Sequence, residues 1–375
     1  MQLHTPPAQI GIPLEMVDTP ALLIDLDAFE RNLKKMAEAV RQMGVRLRPH
    51  AKTHKCPVIA LKQMAAGAVG VCCQKVGEAE AMVYGGVCDV HITNEIVGKS
   101  KIERLIALAK QATIAVCADD PIHLSAYAAA AQANNINLAV FVEVNVGTPR
   151  CGLDPGEPVL KLAKQIQKTP GLCFAGLQAY HGRAQHKRTP EQRKEAIRYT
   201  VDCVRRTKAV LEANGIKCRT VTGAGTGTYR LEGTSKVFDE LQAGSYIFMD
   251  VDYAKNLKED GQPLNEFEHS LFVYSTIMSR PTRDRAVLDA GHKAVSIDSG
   301  MPLIYGMEDV QYTRASDEHG TLKLNDPQRD LKIGDKLKLI PGHCDPTVNL
   351  FDWYVGIRNN RVECLWPITA RGAFR

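Results

Sequence analysis

The stretch RLRPHAKTHK places six basic or imidazole side chains in ten positions: Arg46, Arg48, His50, Lys52, His54 and Lys55. Read as a strand, alternate side chains fall on opposite faces. Arg48, His50, Lys52 and His54 then share one face, and Lys55 falls out of phase with Lys52, past the strand's end. Like charges disfavour the protonated form of an amine, so a lysine among Arg and His neighbours is expected to lose its proton more easily. A free amine is a nucleophile able to form a Schiff base with a carbonyl. Taken alone, the segment reads as readily as a solvated basic turn, and its weight comes from other segments.

Two of these carry glycines. VTGAGTGT (221–228) sets Gly223, Gly225 and Gly227 around Thr226, and LQAGSYIFMD (241–250) supplies Gly244, Ser245 and Tyr246. Backbone N–H groups freed by glycines, with hydroxyl donors beside them, hold a phosphate well. A phosphate site following a nucleophilic lysine points to pyridoxal phosphate. VNVGTPRCG (144–152) offers Arg150, whose guanidinium suits a carboxylate or the cofactor's phenolate. LQAYHGRAQH (177–186) offers Tyr180, His181 and His186, and histidine is the usual general base near neutral pH.

PGHCDPTVNLFDWY (341–354) holds His343 and Asp345. Read as a strand edge, HCD puts both on one face and Cys344 on the other. Imidazole plus carboxylate without thiolate favours a hard or borderline divalent ion, Mn, Mg or Co, with water completing the shell.

These residues need elements to hold them. From about 21 to 250, short apolar runs alternate with helical patterns. The expected strands are 21–26, 45–52, 70–75, 89–94, 113–119, 137–146, 173–180 and 218–225. Helix patterns cover 27–43, 120–134 and 189–214, the last opening on Thr189 and Pro190. Strict alternation implies a parallel sheet, and eight strands over this length suit a (β/α)8 barrel. Without a GxGxxG after the first strand, a doubly wound open sheet is the lesser alternative. Lys52, Arg150, Tyr180 and the first glycine loop then sit at strand C-terminal ends, where barrel chemistry resides. Beyond residue 255 the pattern turns to strands and turns without helix, a second, β-rich C-terminal domain. The division expected is a barrel over 21–255, with 1–20 and 256–375 forming the β-domain.

The 375 residues carry 47 Lys and Arg against 42 Asp and Glu, with no long basic block. This indicates no nucleic-acid partner and favours an acidic small molecule in a local cationic pocket. No run approaches the ~18 apolar residues of a membrane span, and MQLHTPPAQIGIPLEM lacks the pattern of a secretion signal. Eleven scattered cysteines without a CxxC pair suit free thiols in the reducing cytoplasm.

The segments TPALLIDLDA, RPHAKTHK, VCCQKV, TNE, VNVGTPRCG, LQAYHG, GAGTG, ELQAGSY, LDAGHK, SDEHG and PGHCDPT, in this order, together resemble the fold-type III, alanine-racemase-like pyridoxal phosphate enzymes. Within these they resemble the metal-activated D-threonine aldolase and D-serine dehydratase group. The resemblance implies that Lys52 is the Schiff-base lysine, that Arg150 faces the ring oxygen and that Tyr180 lies beside the ring. It implies that His186 takes the substrate's hydroxyl proton, and that Gly225, Thr226, Gly227, Gly244, Ser245 and Tyr246 cradle the phosphate. Gln242 stands where racemases carry an arginine against the pyridine nitrogen, and no second-domain tyrosine base can be placed, which disfavours racemization. The dehydratases resemble His-x-Cys, whereas His343 and Asp345 follow the aldolase pattern. Ala224 departs from the family's GGGTG, in a position where a side chain is strained if φ is positive. The resemblance implies retro-aldol cleavage of a D-β-hydroxy-α-amino acid, with D-threonine giving glycine and acetaldehyde. The alternatives are cleavage of D-3-hydroxyaspartate, with Arg183 as candidate for its second carboxylate, and β-elimination. It also implies a homodimer, in which SDEHG (316–320), with Asp317 and His319, could approach the metal pair.

Overall fold

The computed structural model describes residues 4–375. Its first strand, β1 (Ala21–Asp25), is followed by β2 (Arg46–Leu47), β3 (Val71–Cys73), β4 (Asp89–Glu95) and β5 (Thr113–Ala118). Next come β6 (Leu138–Glu143), β7 (Leu172–Ala179), β8 (Val221–Gly223) and β9 (Glu240–Leu241). Strands β2 to β9 form one parallel sheet in the order β2-β9-β8-β7-β6-β5-β4-β3. A bridge between His50 and Cys72 joins its two ends, closing the barrel expected from the alternation.

One strand is elsewhere. β1 pairs antiparallel and parallel with two strands of the other sheet, and the barrel's eighth strand is β9, in the ELQAGSY segment. The run ALLI is buried on both faces, as is a barrel strand, so its composition says that it is buried and not in which sheet.

Helices cover the barrel in the expected places. The helix Leu26–Met43 starts on Asp25, whose side chain accepts from the Ala28 amide at 3.0 Å, and stops at Gly44 with φ 71°. It buries Phe29, Met36 and Val40, roughly 2 kcal/mol of transfer free energy for each large side chain. The helix Pro190–Ala213 opens on a Thr189–Gln192 capping box. Inside the barrel, Arg48 spans the interior to Glu240 (2.9 Å) and Asp89 (2.6 Å), a buried charge with two partners.

The second sheet adds β10 (Leu271–Thr282), β11 (Arg285–Leu288), β12 (Leu303–Ile304), β13 (Val310–Ala315), β14 (Gly320–Leu324), β15 (Lys336–Ile340), β16 (Trp353–Arg358) and β17 (Arg361–Pro367). Its order is β11-β14-β13-β12-β15-β10-β1-β16-β17, and β10 also pairs with β11. The long β10 thus closes a six-stranded antiparallel barrel on one side and carries β1, β16 and β17 on the other. The N-terminal segment lies on this sheet, with Gly11 N–H donating to the Val362 carbonyl at 2.8 Å.

The β-domain reaches the basic segment directly. Tyr354 Oη donates to the His54 carbonyl at 2.7 Å, and Ala370 N–H to the Lys55 carbonyl at 3.1 Å.

Candidate active site

Strand β2 ends early, and residues 51–54 form a turn after the His50 bridge. The turn separates the two lysines. Lys55, at φ 52°, is buried and hydrogen-bonded to Glu78, so it serves structure. Lys52 opens onto a cavity at the barrel's C-terminal end, with its Nζ 3.8 Å from Asp345 Oδ2. Burial opposes the ammonium form, but Asp345 and Tyr180 outweigh it, and the Lys52 pKa is raised. The expectation that basic neighbours would loosen this proton is therefore corrected. The nearest strong charge is a carboxylate from the second domain, which strand phase does not reveal.

The cavity is lined by Lys52, Arg150, Tyr180, His186, Gly225, Thr226, Gln242, Gly244, Ser245, His343 and Asp345, together with His50, Thr53, Gln74, Thr93, Gln178, Ala224 and Tyr253. Segments from residue 50 to residue 345, far apart in sequence, thus contribute to one space. Two of the residues expected in the glycine loops do not line it. Gly227 donates its N–H to Gln185 Oε1 at 3.0 Å. Tyr246 donates its N–H to Thr226 Oγ1 at 2.9 Å, and its phenol oxygen accepts from Gln63 Nε2 at 3.1 Å, in the core. Each glycine loop has one residue that faces backwards to hold the loop.

The glycine-loop end of the cavity suits an anion. The amides of Gly225 and Thr226 meet no acceptor among the described residues. Thr53 Oγ1 is buried without a hydrogen-bond partner. A Cβ on Gly244 would lie 2.7 Å from that hydroxyl and 2.9 Å from the His50 carbonyl, so only glycine fits. Ala224 does adopt φ 69°, at a cost of about 1 kcal/mol.

Along the walls, Arg150 lies over the Tyr180 ring, 5.9 Å from its centroid, and reaches Glu143 Oε1 at 3.5 Å. Burial and the neighbouring Glu95 push the Glu143 carboxyl up to about 8. Gln242 exchanges amide hydrogen bonds with Gln178 (2.8 and 3.0 Å) and donates to Thr222 Oγ1 at 2.8 Å. A neutral amide pair therefore occupies that wall.

Of the two histidines on the segment after β7, only His186 lines the cavity. It ends the 3-10 turn Gly182–His186, its Nδ1 is hydrogen-bonded to Asp252, and Tyr253 packs on its ring at 5.5 Å. His181 instead caps that turn, accepting from the Ala184 amide at 3.3 Å, and lies with Arg183 in a separate depression.

HCD is not a strand edge. His343 is the N-cap of a short helix, Cys344–Val348, and Asp345 lies in its first turn. Cys344 turns away, its Sγ donating to the Met249 carbonyl at 3.4 Å and its N–H to Asp250 Oδ2 at 3.1 Å. His343, extended at φ −145° and ψ 126° just before the helix, and Asp345, in its first turn, nevertheless both line the cavity, while Cys344 does not. His343 Nδ1 meets Asp298 Oδ2 at 2.9 Å, leaving Nε2 for a ligand. Burial disfavours its charged form, but Asp345 and Asp298 raise its pKa. Asp345 Oδ1 is buried and unpartnered, as suits a carboxylate oxygen intended for a cation. Among the described residues no third His, Cys, Asp or Glu closes on this pair, so an ion held there keeps positions open to water and substrate. Asp317 and His319 do not line the cavity; their segment lies against 291–293, with His292 N–H donating to the Ser316 carbonyl at 2.8 Å.

Asp252, Tyr253 and Asp298 went unread in the sequence. Their roles come from contacts to residues 66, 67 and 45 positions away, and no local spacing signals them.

Comparison with known proteins accords with this geometry. Residues 24–252 match the family described as alanine racemase, N-terminal domain, and residues 270–357 match the putative serine dehydratase domain. The chain is 48% identical to a D-threonine aldolase of Arthrobacter sp. over 370 residues, covering 99% of this chain and 97% of that protein. It is 45% identical to a 3-hydroxy-D-aspartate aldolase of Paracoccus denitrificans, covering 98% and 95%. The crystal structure of D-threonine aldolase from Filomicrobium marinum superposes with a TM-score of 0.95 at 48% identity, covering 98% and 99% of the two chains. With its barrel, its second antiparallel barrel and its lysine-centred cavity, the chain belongs to the alanine-racemase-like, fold-type III family of pyridoxal phosphate enzymes.

Proposed function

We propose that this protein is a divalent-metal-dependent aldolase that cleaves D-β-hydroxy-α-amino acids, D-threonine to glycine and acetaldehyde. The observation that carries the reading is the meeting of Lys52, His186 and the His343–Asp345 pair in one cavity. Lys52 is the cofactor-bearing amine. Arg150 and Tyr180 would border the cofactor's ring, Gln242 would take the place where racemases carry an arginine, and Gly225, Thr226, Gly244 and Ser245 would receive the phosphate. His343 and Asp345 would hold Mn, Mg or Co, whose oxygen-rich preference suits this donor set better than zinc.

Bound pyridoxal phosphate supplies an electron sink next to Cα, and the divalent ion a Lewis acid for the β-oxygen. The protein's own groups do the rest. His186 accepts the β-hydroxyl proton through its unprotonated nitrogen. As Cα–Cβ breaks, the β-carbon leaves as the aldehyde, and a proton delivered to Cα completes glycine. The cavity walls orient the substrate so that the bond to Cβ, and not to the carboxylate, is the one released.

The Paracoccus relative favours a second reading, cleavage of 3-hydroxy-D-aspartate to glycine and glyoxylate. Arg183, the expected partner of its extra carboxylate, lies outside the cavity, and this weights the proposal toward the neutral side chain of D-threonine. The reading includes a homodimer, as the fold type implies, and a cytoplasmic location, as the eleven free cysteines suggest.

Products decide the matter. Purified enzyme with pyridoxal phosphate and Mn is expected to form glycine and acetaldehyde from D-threonine, and to lose this activity with a chelator. Ammonia and a keto acid as products, or undiminished cleavage after chelation, would overturn the proposal.

A further inference from the structure

We infer that Asp252, clamped by Arg188, is a positioning residue that fixes the tautomer of His186. The inference rests on the proton-acceptor role proposed for His186. The carboxylate is held from two sides. Asp252 Oδ2 is hydrogen-bonded to His186 Nδ1, and Arg188 donates to Oδ1. The same guanidinium donates to the Asp252 carbonyl at 2.7 Å and to Asn256 Oδ1 at 2.9 Å. Asp252 N–H donates to the Gly342 carbonyl at 3.2 Å, next to His343, so the base and the metal pair share one backbone anchor.

An ionised carboxylate only accepts hydrogen bonds. His186 Nδ1 must then carry the ring proton, and Nε2 keeps the lone pair that the reaction needs. The carboxylate also steadies the imidazolium formed once Nε2 takes the β-hydroxyl proton, as an aspartate does behind the histidine of a hydrolase triad. Arg188 makes the arrangement directional. In Asp252→Asn its donor keeps the amide oxygen on its own side, and the amide NH2 is left facing Nδ1. That group donates, so the ring proton moves to Nε2 and the acceptor is lost while the shape is kept.

The test is made on the holoenzyme with 15N-labelled histidine. The His186 signals, identified by their loss in His186→Ala, are expected to show the Nδ1–H tautomer in the wild type and Nε2–H in Asp252→Asn. The kcat for D-threonine should fall roughly 10²–10⁴-fold, with KM and the cofactor's absorbance little changed. The double variant should lose no more than His186→Ala alone, since both changes remove one function. An unchanged tautomer in Asp252→Asn, a kcat within twofold of wild type, or losses that multiply in the double variant would overturn the inference. A fully active His186→Ala would instead remove the base role itself, and the tautomer measurement separates that failure from this one.

Discussion

Glu232 shows how a single side chain can impose a pH dependence on the whole fold. It sits beneath the first glycine loop, fully buried, with Oε1 accepting from Thr228 Oγ1 at 2.8 Å and Oε2 unpartnered. Burial pushes its carboxyl up from 4.5 to about 8. The folded state therefore holds the proton more tightly than the unfolded chain. The resulting stability is complete below about pH 4.5 and is lost as pH rises through about 8. Within that window the slope is about 1.4 kcal/mol per pH unit. Glu232→Gln keeps the shape and removes the titration. Denaturation of the apo protein between pH 6 and 9 should show the wild type losing stability faster than the variant; parallel curves would contradict a neutral Glu232.

The lysine-bearing turn depends on elements from both domains. Glu78 stands in the helix Val76–Tyr84, accepts from the Gln74 amide at 2.8 Å and pairs with Lys55. Tyr354 and Ala370 bind the turn's carbonyls from the other side. Removing Glu78 would leave the Lys55 ammonium buried without a partner, at a cost of about 3–5 kcal/mol. Glu78→Ala is therefore expected to lower the urea midpoint markedly and to weaken cofactor retention, although Glu78 does not line the cavity. A midpoint near that of the wild type would mean that the pair contributes little.

On the scale of the molecule, the proposed cofactor cradle and the proposed metal pair come from different sheets. Every candidate for the phosphate and ring belongs to the barrel and its loops, while His343 and Asp345 lie between β15 and β16 of the β-domain. The two loads should then separate. His343→Ala is expected to abolish the metal requirement's benefit, reducing cleavage to the level of the chelated enzyme, and to leave the visible absorbance of bound pyridoxal phosphate in place. Loss of both together would show that the domains do not bind independently.

The sequence alone determined what depends on local spacing and residue type. The alternation of strand and helix specified a parallel barrel, Thr189 and Pro190 marked a helix start, and two glycine loops after a basic strand pointed to a phosphate-bearing carbonyl cofactor. Tertiary structure decided what depends on which segments meet. An apolar run such as ALLI pairs wherever a buried slot exists, so β1 joined the second sheet. The upward shift of the Lys52 pKa, against burial, comes chiefly from Asp345, almost three hundred residues away. The withdrawal of Gly227 and Tyr246 from the cavity, and the clamp on His186, follow from partners that only folding brings within hydrogen-bond reach. Electrostatic fields and hydrogen bonds act over a few ångströms of space, and distance along the chain does not encode them.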